Sequence, residues 1–271
     1  MAIVELVPRP ATVRAIIKES RDVKTFVLEM QDGSAMESLP GQFVEVSVQG
    51  YGESTFAISR LEPGGRRFHV SVKRMGHLTK MLHRSAEGET VGVRGPYGKP
   101  FPVEEWQGKG VVVIGGGIGL APLRPVVDHV LEQRDGFAGL EVVFGARTPQ
   151  DMLFKEDMEK WTGDDWVKLH TTIDFAAEGW DGLVGFVPVV AKDLGLKPDN
   201  RVAILCGPPI MIKLTAAALK ELGWPQDRLY TTLEAKMQCG IGQCGRCNIG
   251  DKYICKDGPV FRLDELPSYA L

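Results

Sequence analysis

Short runs of alternating apolar and polar residues fill the first third of the chain. The segments "TVRAIIKES", "VKTFVLEM", "GQFVEVSV", "RRFHVSVKR" and "TVGVRG" are rich in β-branched residues and place successive side chains on opposite faces. The turn-forming stretches "QDGS", "LPGQ" and "EPGGRR" separate them. Several short strands at this spacing predict a small antiparallel β-barrel. One helix is expected within "GHLTKMLHRS".

The pattern changes after the Pro- and Gly-rich stretch "PYGKPFPVEEWQGKG". "VVVIG" is a continuous apolar run, as a parallel strand covered on both faces requires. Helical periodicity follows in "LAPLRPVVDHVLEQR", then a strand in "LEVVFGA" and a helix in "DMLFKEDMEKW". "WVKLHTTI" and "RVAILCG" read as strands, "PPIMIKLTAAALKELG" as a helix and "RLYTTLE" as the last strand. This alternation predicts a parallel α/β domain. The expected organisation is a barrel over residues 1–105, an α/β domain over 106–233 and a cysteine-bearing segment over 234–271.

Charge adds little to this picture. The 271 residues carry a formal net charge of -3, which gives no basis for nucleic acid or an anionic membrane as partner. The N-terminal "MAIVELVPRPATVRAIIKES" meets Glu5 after a short apolar run, so it reads as neither signal peptide nor membrane span, and no other apolar run reaches spanning length. A cytoplasmic protein without membrane insertion is expected. In a reducing compartment, clustered cysteines point to metal ligands before disulfides.

Four of the five cysteines fall in "CGIGQCGRCNIGDKYIC", as Cys239, Cys244, Cys247 and Cys255. The spacing C-x4-C-x2-C-x7-C matches, in its first three members, the plant-type pattern that holds a [2Fe–2S] cluster. Thiolate sulfur is the soft ligand that iron–sulfur clusters need. Gly240, Gly242, Gly245 and Gly250 supply the positive φ angles and close backbone approach of a loop folded around a cluster. A structural zinc site and a pair of disulfides are the other readings. Zinc sites, however, usually pair C-x2-C knuckles, and only Cys244 and Cys247 form one here. Cys206 stands apart at the end of an apolar strand, where a lone cysteine is ordinarily a small core residue.

In "VVVIGGGIGLAP", Gly115, Gly116, Gly117 and Gly119 lie between a strand and a helix, where backbone N–H groups can hold a pyrophosphate. The G-x-G-x-x-G fingerprint fails at Leu120, and the following strand ends in Arg147 where an acidic residue is usual. A tight turn is the competing reading of these glycines. "ILCGPPIMI" also runs from a strand directly into a helix. Both loops then lie at the carboxyl ends of parallel strands, where open α/β sheets bind ligands.

Together, "GGGIGLAPLRP", "FGARTPQDMLF", "CGPPIM" and the cysteine loop resemble the ferredoxin–NADP reductase superfamily, in the branch with a C-terminal [2Fe–2S] loop. That branch includes electron-transfer subunits of dihydroorotate dehydrogenase, sulfhydrogenase gamma subunits, a corresponding subunit of anaerobic sulfite reductase and the small subunit of NADH-dependent ferredoxin:NADP oxidoreductase. The resemblance covers nearly the whole chain. It implies an FAD-binding barrel followed by an NAD(P)-binding α/β domain. The flavin motif falls at "STFAISR", with Ser54, Phe56 and Ala57 where many members have an arginine, an aromatic residue and Ser or Thr. Ile58 and Ser59 would lie along the flavin. In "VKRMGHLTKML", Val72 and Lys73 open the second flavin segment, and Gly76, Leu78 and Thr79 would approach the pyrophosphate. Gly117, Ile118, Gly119 and Pro122 would lie near the dinucleotide, and Cys206, Gly207, Pro208 and Met211 near its nicotinamide and ribose. Arg147 either holds a 2′-phosphate or is an ordinary solvated arginine.

A nicotinamide exchanges two electrons as hydride, a cluster one at a time, and a flavin does either. The combination implies an oxidoreductase without an acid–base residue: an electron-transfer subunit working between NAD(H) or NADP(H), FAD and a [2Fe–2S] cluster. Its partner would be a catalytic subunit of a heteromeric complex, of hydrogenase, sulfite reductase or electron-bifurcating type. A self-contained reductase of soluble ferredoxin and a non-enzymatic zinc or nucleotide sensor are the alternatives. In the tail, Val260, Phe261, Leu263, Leu266 and Tyr269 are expected either to cover the cluster or to face a partner.

Overall fold

The computed structural model describes residues 6–267. Six strands, β1 (Arg9–Lys18), β2 (Val23–Met30), β3 (Phe43–Val48), β4 (Gly52–Leu61), β5 (Arg67–Lys73) and β6 (Thr90–Tyr97), close an antiparallel barrel in the order β1-β2-β5-β4-β3-β6. Alternation decides what faces inward. Phe26, Leu28 and Met30 of β2, Val44 and Val46 of β3, Phe68, Val70 and Val72 of β5, and Val91 and Val93 of β6 fill the interior. The expected helix is α1 (His77–Leu82), and its Leu78 and Leu82 join the same core. Strand β4 contains the whole of "STFAISR".

The second sheet is built from β7 (Gly110–Gly116), β8 (Gly139–Ala146), β9 (Val167–Ile173), β10 (Leu183–Val184), β11 (Arg201–Cys206), β12 (Leu229–Thr232) and, later in the chain, a further short strand. From β10 to β12 every pairing is parallel, in the order β10-β9-β8-β7-β11-β12. Val111, Val112, Val113 and Ile114 of β7 are fully buried, as a central strand covered on both faces must be. Helices α2 (Arg124–Glu132) and α3 (Lys155–Thr162) are joined by the buried Arg124–Asp157 ion pair. Val187, Val190 and Ala191 of α4 (Val187–Asp193) share a core with Met211, Ile212 and Leu219 of α5 (Pro209–Glu221).

After β12 the chain forms the hairpin β13 (Asn248–Ile249) and β14 (Lys252–Tyr253), then the single turn α6 (Ile254–Asp257) and β15 (Val260–Arg262). Strand β15 adds beside β12 at the edge of the large sheet. Two compact units result. One holds the chain to Phe101 together with Leu233–Val260, and the other holds Pro102–Thr232 with the chain from Phe261 onward.

The described apolar residues of the tail do not present a face to a partner. Phe261 is buried within β15, and Leu263 and Leu266 pack into the core of the α/β unit. Val260 is buried and lies against Gly41. These side chains serve the protein's own packing, because a three-residue strand needs such contacts to stay on the sheet edge. Tyr269 lies outside the described residues. No helix among the described residues is long and apolar enough to cross a membrane.

Candidate functional site

The seven residues between Cys247 and Cys255 form a hairpin. Asn248 pairs with Tyr253 and Ile249 with Lys252, and Gly250 at the turn has φ +60°. Tyr253 N–H donates to the Asp257 carboxylate (2.7 Å), and Ile254 N–H donates to the Cys247 carbonyl (3.0 Å). This folding returns Cys255 to Cys247, with their Sγ atoms 3.3 Å apart. Gly240, Gly242 and Gly245 also have positive φ, as expected from the sequence.

Backbone N–H groups point at the sulfurs. Gly242 N–H donates to Cys255 Sγ (3.1 Å), while Gln243 and Cys244 donate to Cys239 Sγ (3.3 and 3.4 Å). Burial raises the Cys239 thiol pKa, yet N–H groups of Cys244, Ile241 and Gln243 outweigh it and bring the value down to about 7. Cys255 is pushed up to about 12, by burial and then by the neighbouring Cys247 thiol. Cys247 and Cys255 thus bring their sulfurs together, and Cys244 lies against Cys239, to whose Sγ its N–H donates. Two thiolate pairs fit a centre with two irons, each taking one pair. Three of the four cysteines are buried, and Cys244 is exposed.

Strand parity explains what lies under this loop. Because Val91 and Val93, Val44 and Val46, and Phe56 and Ile58 point into the barrel, Arg94, Glu45, Thr55 and Glu53 point outward on β6, β3 and β4. Glu45 is nevertheless 1% exposed and Arg94 5%. Arg94 pairs with Glu53 and donates to the carbonyls of Gln238 and Cys239 (2.9 Å each). Burial lifts the Glu45 pKa to about 7, against a hydrogen bond from Thr55. Sequence reasoning missed this polar seat. Its one signal was the set of charges at outward positions of three neighbouring strands.

The residues assigned to flavin divide by environment. Phe56 and Ala57 are half-buried on β4, and Lys73 at the end of β5 and Gly76 just beyond it are exposed. Ile58 and Val72 belong to the barrel core. Ser59 is fully buried and accepts a hydrogen bond from Ser71 (2.9 Å). Thr79 Oγ1 accepts the N–H groups of Met75 and Gly76 (2.9 Å each), and Leu78 faces the core. Exposed surface on this segment therefore centres on Lys73 and Gly76, with Ala57 half-buried on the outward face of β4 and Phe56 packed against the barrel core.

The nucleotide loops meet at the point where strand order reverses. From β7 the chain proceeds to β8 on one side, and β11 lies on the other. Such a switch point is where open α/β sheets form their ligand crevice. Gly115 is in register with Cys206. A Cβ on Gly119 would lie 2.5 Å from the Cys206 carbonyl oxygen and 2.6 Å from Gly207 N, so only glycine fits there. Gly117 has φ +54° and, with Ile118, is partly exposed. Pro208 is exposed. Pro122 and Met211 are buried, and Met211 packs against Gly116 and Gly207. Arg147 is exposed just beyond the carboxyl end of β8.

Comparison with known proteins agrees with this layout. Residues 10–101 match the oxidoreductase FAD-binding domain, 113–217 the oxidoreductase NAD-binding domain, and 234–267 the iron-sulfur cluster binding domain of dihydroorotate dehydrogenase B. Sulfhydrogenase 1 subunit gamma of Pyrococcus furiosus is 35% identical over 255 residues, covering 90% of this chain and 87% of the relative. The chain belongs to the iron–sulfur branch of the ferredoxin–NADP reductase superfamily. A second relative in this branch is the probable dihydroorotate dehydrogenase B (NAD(+)) electron transfer subunit of Methanocaldococcus jannaschii. It is 35% identical over 258 residues, with coverage of 94% and 89%. The solved structure of an NADH-dependent reduced ferredoxin-NADP oxidoreductase superposes with a TM-score of 0.78 at 26% identity, covering 95% of this chain and 89% of that one. As a member of this superfamily branch, the protein is an oxidoreductase with domains for FAD, NAD(H) and an iron–sulfur cluster.

Proposed function

We propose that this chain is the electron-transfer subunit of a cytoplasmic redox complex, with Cys239, Cys244, Cys247 and Cys255 holding a [2Fe–2S] cluster. The observation that carries the reading is the return of Cys255 to Cys247 across a hairpin, beside the N–H-supported Cys239. Nicotinamide supplies electron pairs as hydride, flavin exchanges them in pairs or singly, and the cluster carries one at a time. The chain's own residues bind and orient. Ala57, Lys73 and Gly76 offer the surface for FAD, with Phe56 anchoring that strand from within, and Gly117, Ile118, Gly119, Gly207 and Pro208 the surface for the dinucleotide. Val72, Ile58, Leu78 and Met211 support these surfaces from the core. Cys244, as the exposed cysteine, marks the edge from which a partner takes or delivers electrons.

The relatives named as sulfhydrogenase and dihydroorotate dehydrogenase subunits support a catalytic partner in a heteromeric assembly. Native purification should recover a stoichiometric complex with a second, substrate-reducing subunit. A lone chain that reduces soluble ferredoxin as fast as crude lysate does would overturn the subunit reading in favour of a self-contained reductase.

A further inference from the structure

We propose that Arg94 is the positioning residue of the cluster. It pins the first turn of the cysteine loop to the barrel, and its charge, balanced by Glu53, tunes the cluster's reduction potential. The proposal rests on the reading that the four cysteines hold iron.

The geometry uses every donor the guanidinium has. Nε donates to Glu53 (2.8 Å) and Nη2 pairs with the same carboxylate. The other Nη2 hydrogen serves the Gln238 carbonyl (2.9 Å), while Nη1 serves the Cys239 carbonyl (2.9 Å) and the Tyr97 hydroxyl (3.4 Å). Five N–H groups in a rigid plane meet one carboxylate, two carbonyls and one hydroxyl, a pattern lysine's three donors cannot reproduce. The guanidinium also lies 5.7 Å from the centre of the Tyr97 ring. That ring in turn floors Gly240, where a Cβ would sit 2.7 Å from Tyr97 Cδ2. Gln238, Cys239 and Gly240 are thus held in succession by two side chains of β6. Glu53 belongs to β4, the strand that also carries Phe56 and Ala57, so one residue couples the first cluster ligand to the flavin strand. The side chain of Arg94 is 3% exposed, so its charge acts on the loop with little solvent screening, while Glu53, 23% exposed, is partly solvated.

The test uses the full chain in four forms: Arg94→Met, Arg94→Lys, Glu53→Gln and the double variant Arg94→Met/Glu53→Gln. Iron, FAD and the cluster's midpoint potential, followed by electron paramagnetic resonance, are measured in each. Removing the cation leaves Glu53 unbalanced and should lower the potential. Glu53→Gln leaves Arg94 unbalanced and should raise it, and the double variant should return towards wild type. Arg94→Lys should hold less iron than wild type at unchanged FAD content. If Arg94→Met does not fold, the sign of the Glu53→Gln shift and the iron content of Arg94→Lys decide. Wild-type potentials and iron throughout would overturn the proposal, and so would shifts of one sign in both single variants. A wild-type chain without iron would instead overturn the cluster reading itself.

Discussion

Cys247 and Cys255 are eight residues apart in sequence, yet their Sγ atoms lie 3.3 Å from one another. The hairpin between them closes the longest gap in the cysteine pattern. If each pair serves one iron, loss of any one thiolate should break the centre. Cys247→Ser and Cys255→Ser should each lose most of the iron, against about two irons per chain in the anaerobically prepared wild type. Cys206→Ser should keep it. Full-occupancy zinc in place of iron would contradict this.

Gly119 sets the separation of the two nucleotide loops. Alanine there would press its Cβ into the Cys206 carbonyl at 2.5 Å, and the obstacle is backbone, which cannot rotate away. Gly119→Ala should cost roughly 1–3 kcal/mol in the α/β unit. It should slow flavin reduction by NADH while leaving iron content unchanged. Wild-type kinetics with NADH would show that the loops do not need this approach.

Arg147 stands exposed where a 2′-phosphate could be recognised. The single cation is a weak basis for phosphate selection, so NADH is expected as the better donor. Arg147→Ala should then change the Michaelis constants for NADH and NADPH to a similar degree. A selective loss for NADPH beyond tenfold, about 1.4 kcal/mol, would reverse the assignment.

Glu141 predicts an acid limit for the α/β unit. Burial raises its pKa, but hydrogen bonds from His170 (3.0 Å) and Arg201 prevail and bring it down to about 2. The folded value lies below the unfolded one, so the stabilisation is complete above about pH 4.5 and fades as pH falls towards 2. With solvent screening at the strand end, about 1–2 kcal/mol is expected. Thermal unfolding of Glu141→Gln between pH 2 and 7 should lose this slope. A variant as acid-sensitive as wild type would assign the effect elsewhere.

Sequence pattern carried far where the physics is local. Ligand spacing, loop glycines and the unbroken apolar run of β7 depend on neighbours along the chain, and the structure places each in the corresponding element. Pairing partners are another matter. Strand β15 is three residues long and β10 two, too short for any period to register, and both exist because a longer strand lies beside them. The seat formed by Glu45, Glu53 and Arg94 was hidden for a similar reason. Outward charges on a barrel ordinarily meet water, and only the loop laid over them turns them into buried partners.

Strands β12 and β15 are neighbours in the sheet, although the entire cysteine-bearing excursion, Leu233–Pro259, lies between them in sequence. Its two ends are also stitched together, since Leu233 N–H donates to the Pro259 carbonyl (3.0 Å). An insertion whose entry and exit coincide can be gained or lost in evolution without re-threading the host sheet. A gene for a flavin–nicotinamide reductase could thus acquire a one-electron outlet in a single splice, and a short turn from Thr232 to Phe261 would be enough to reverse it.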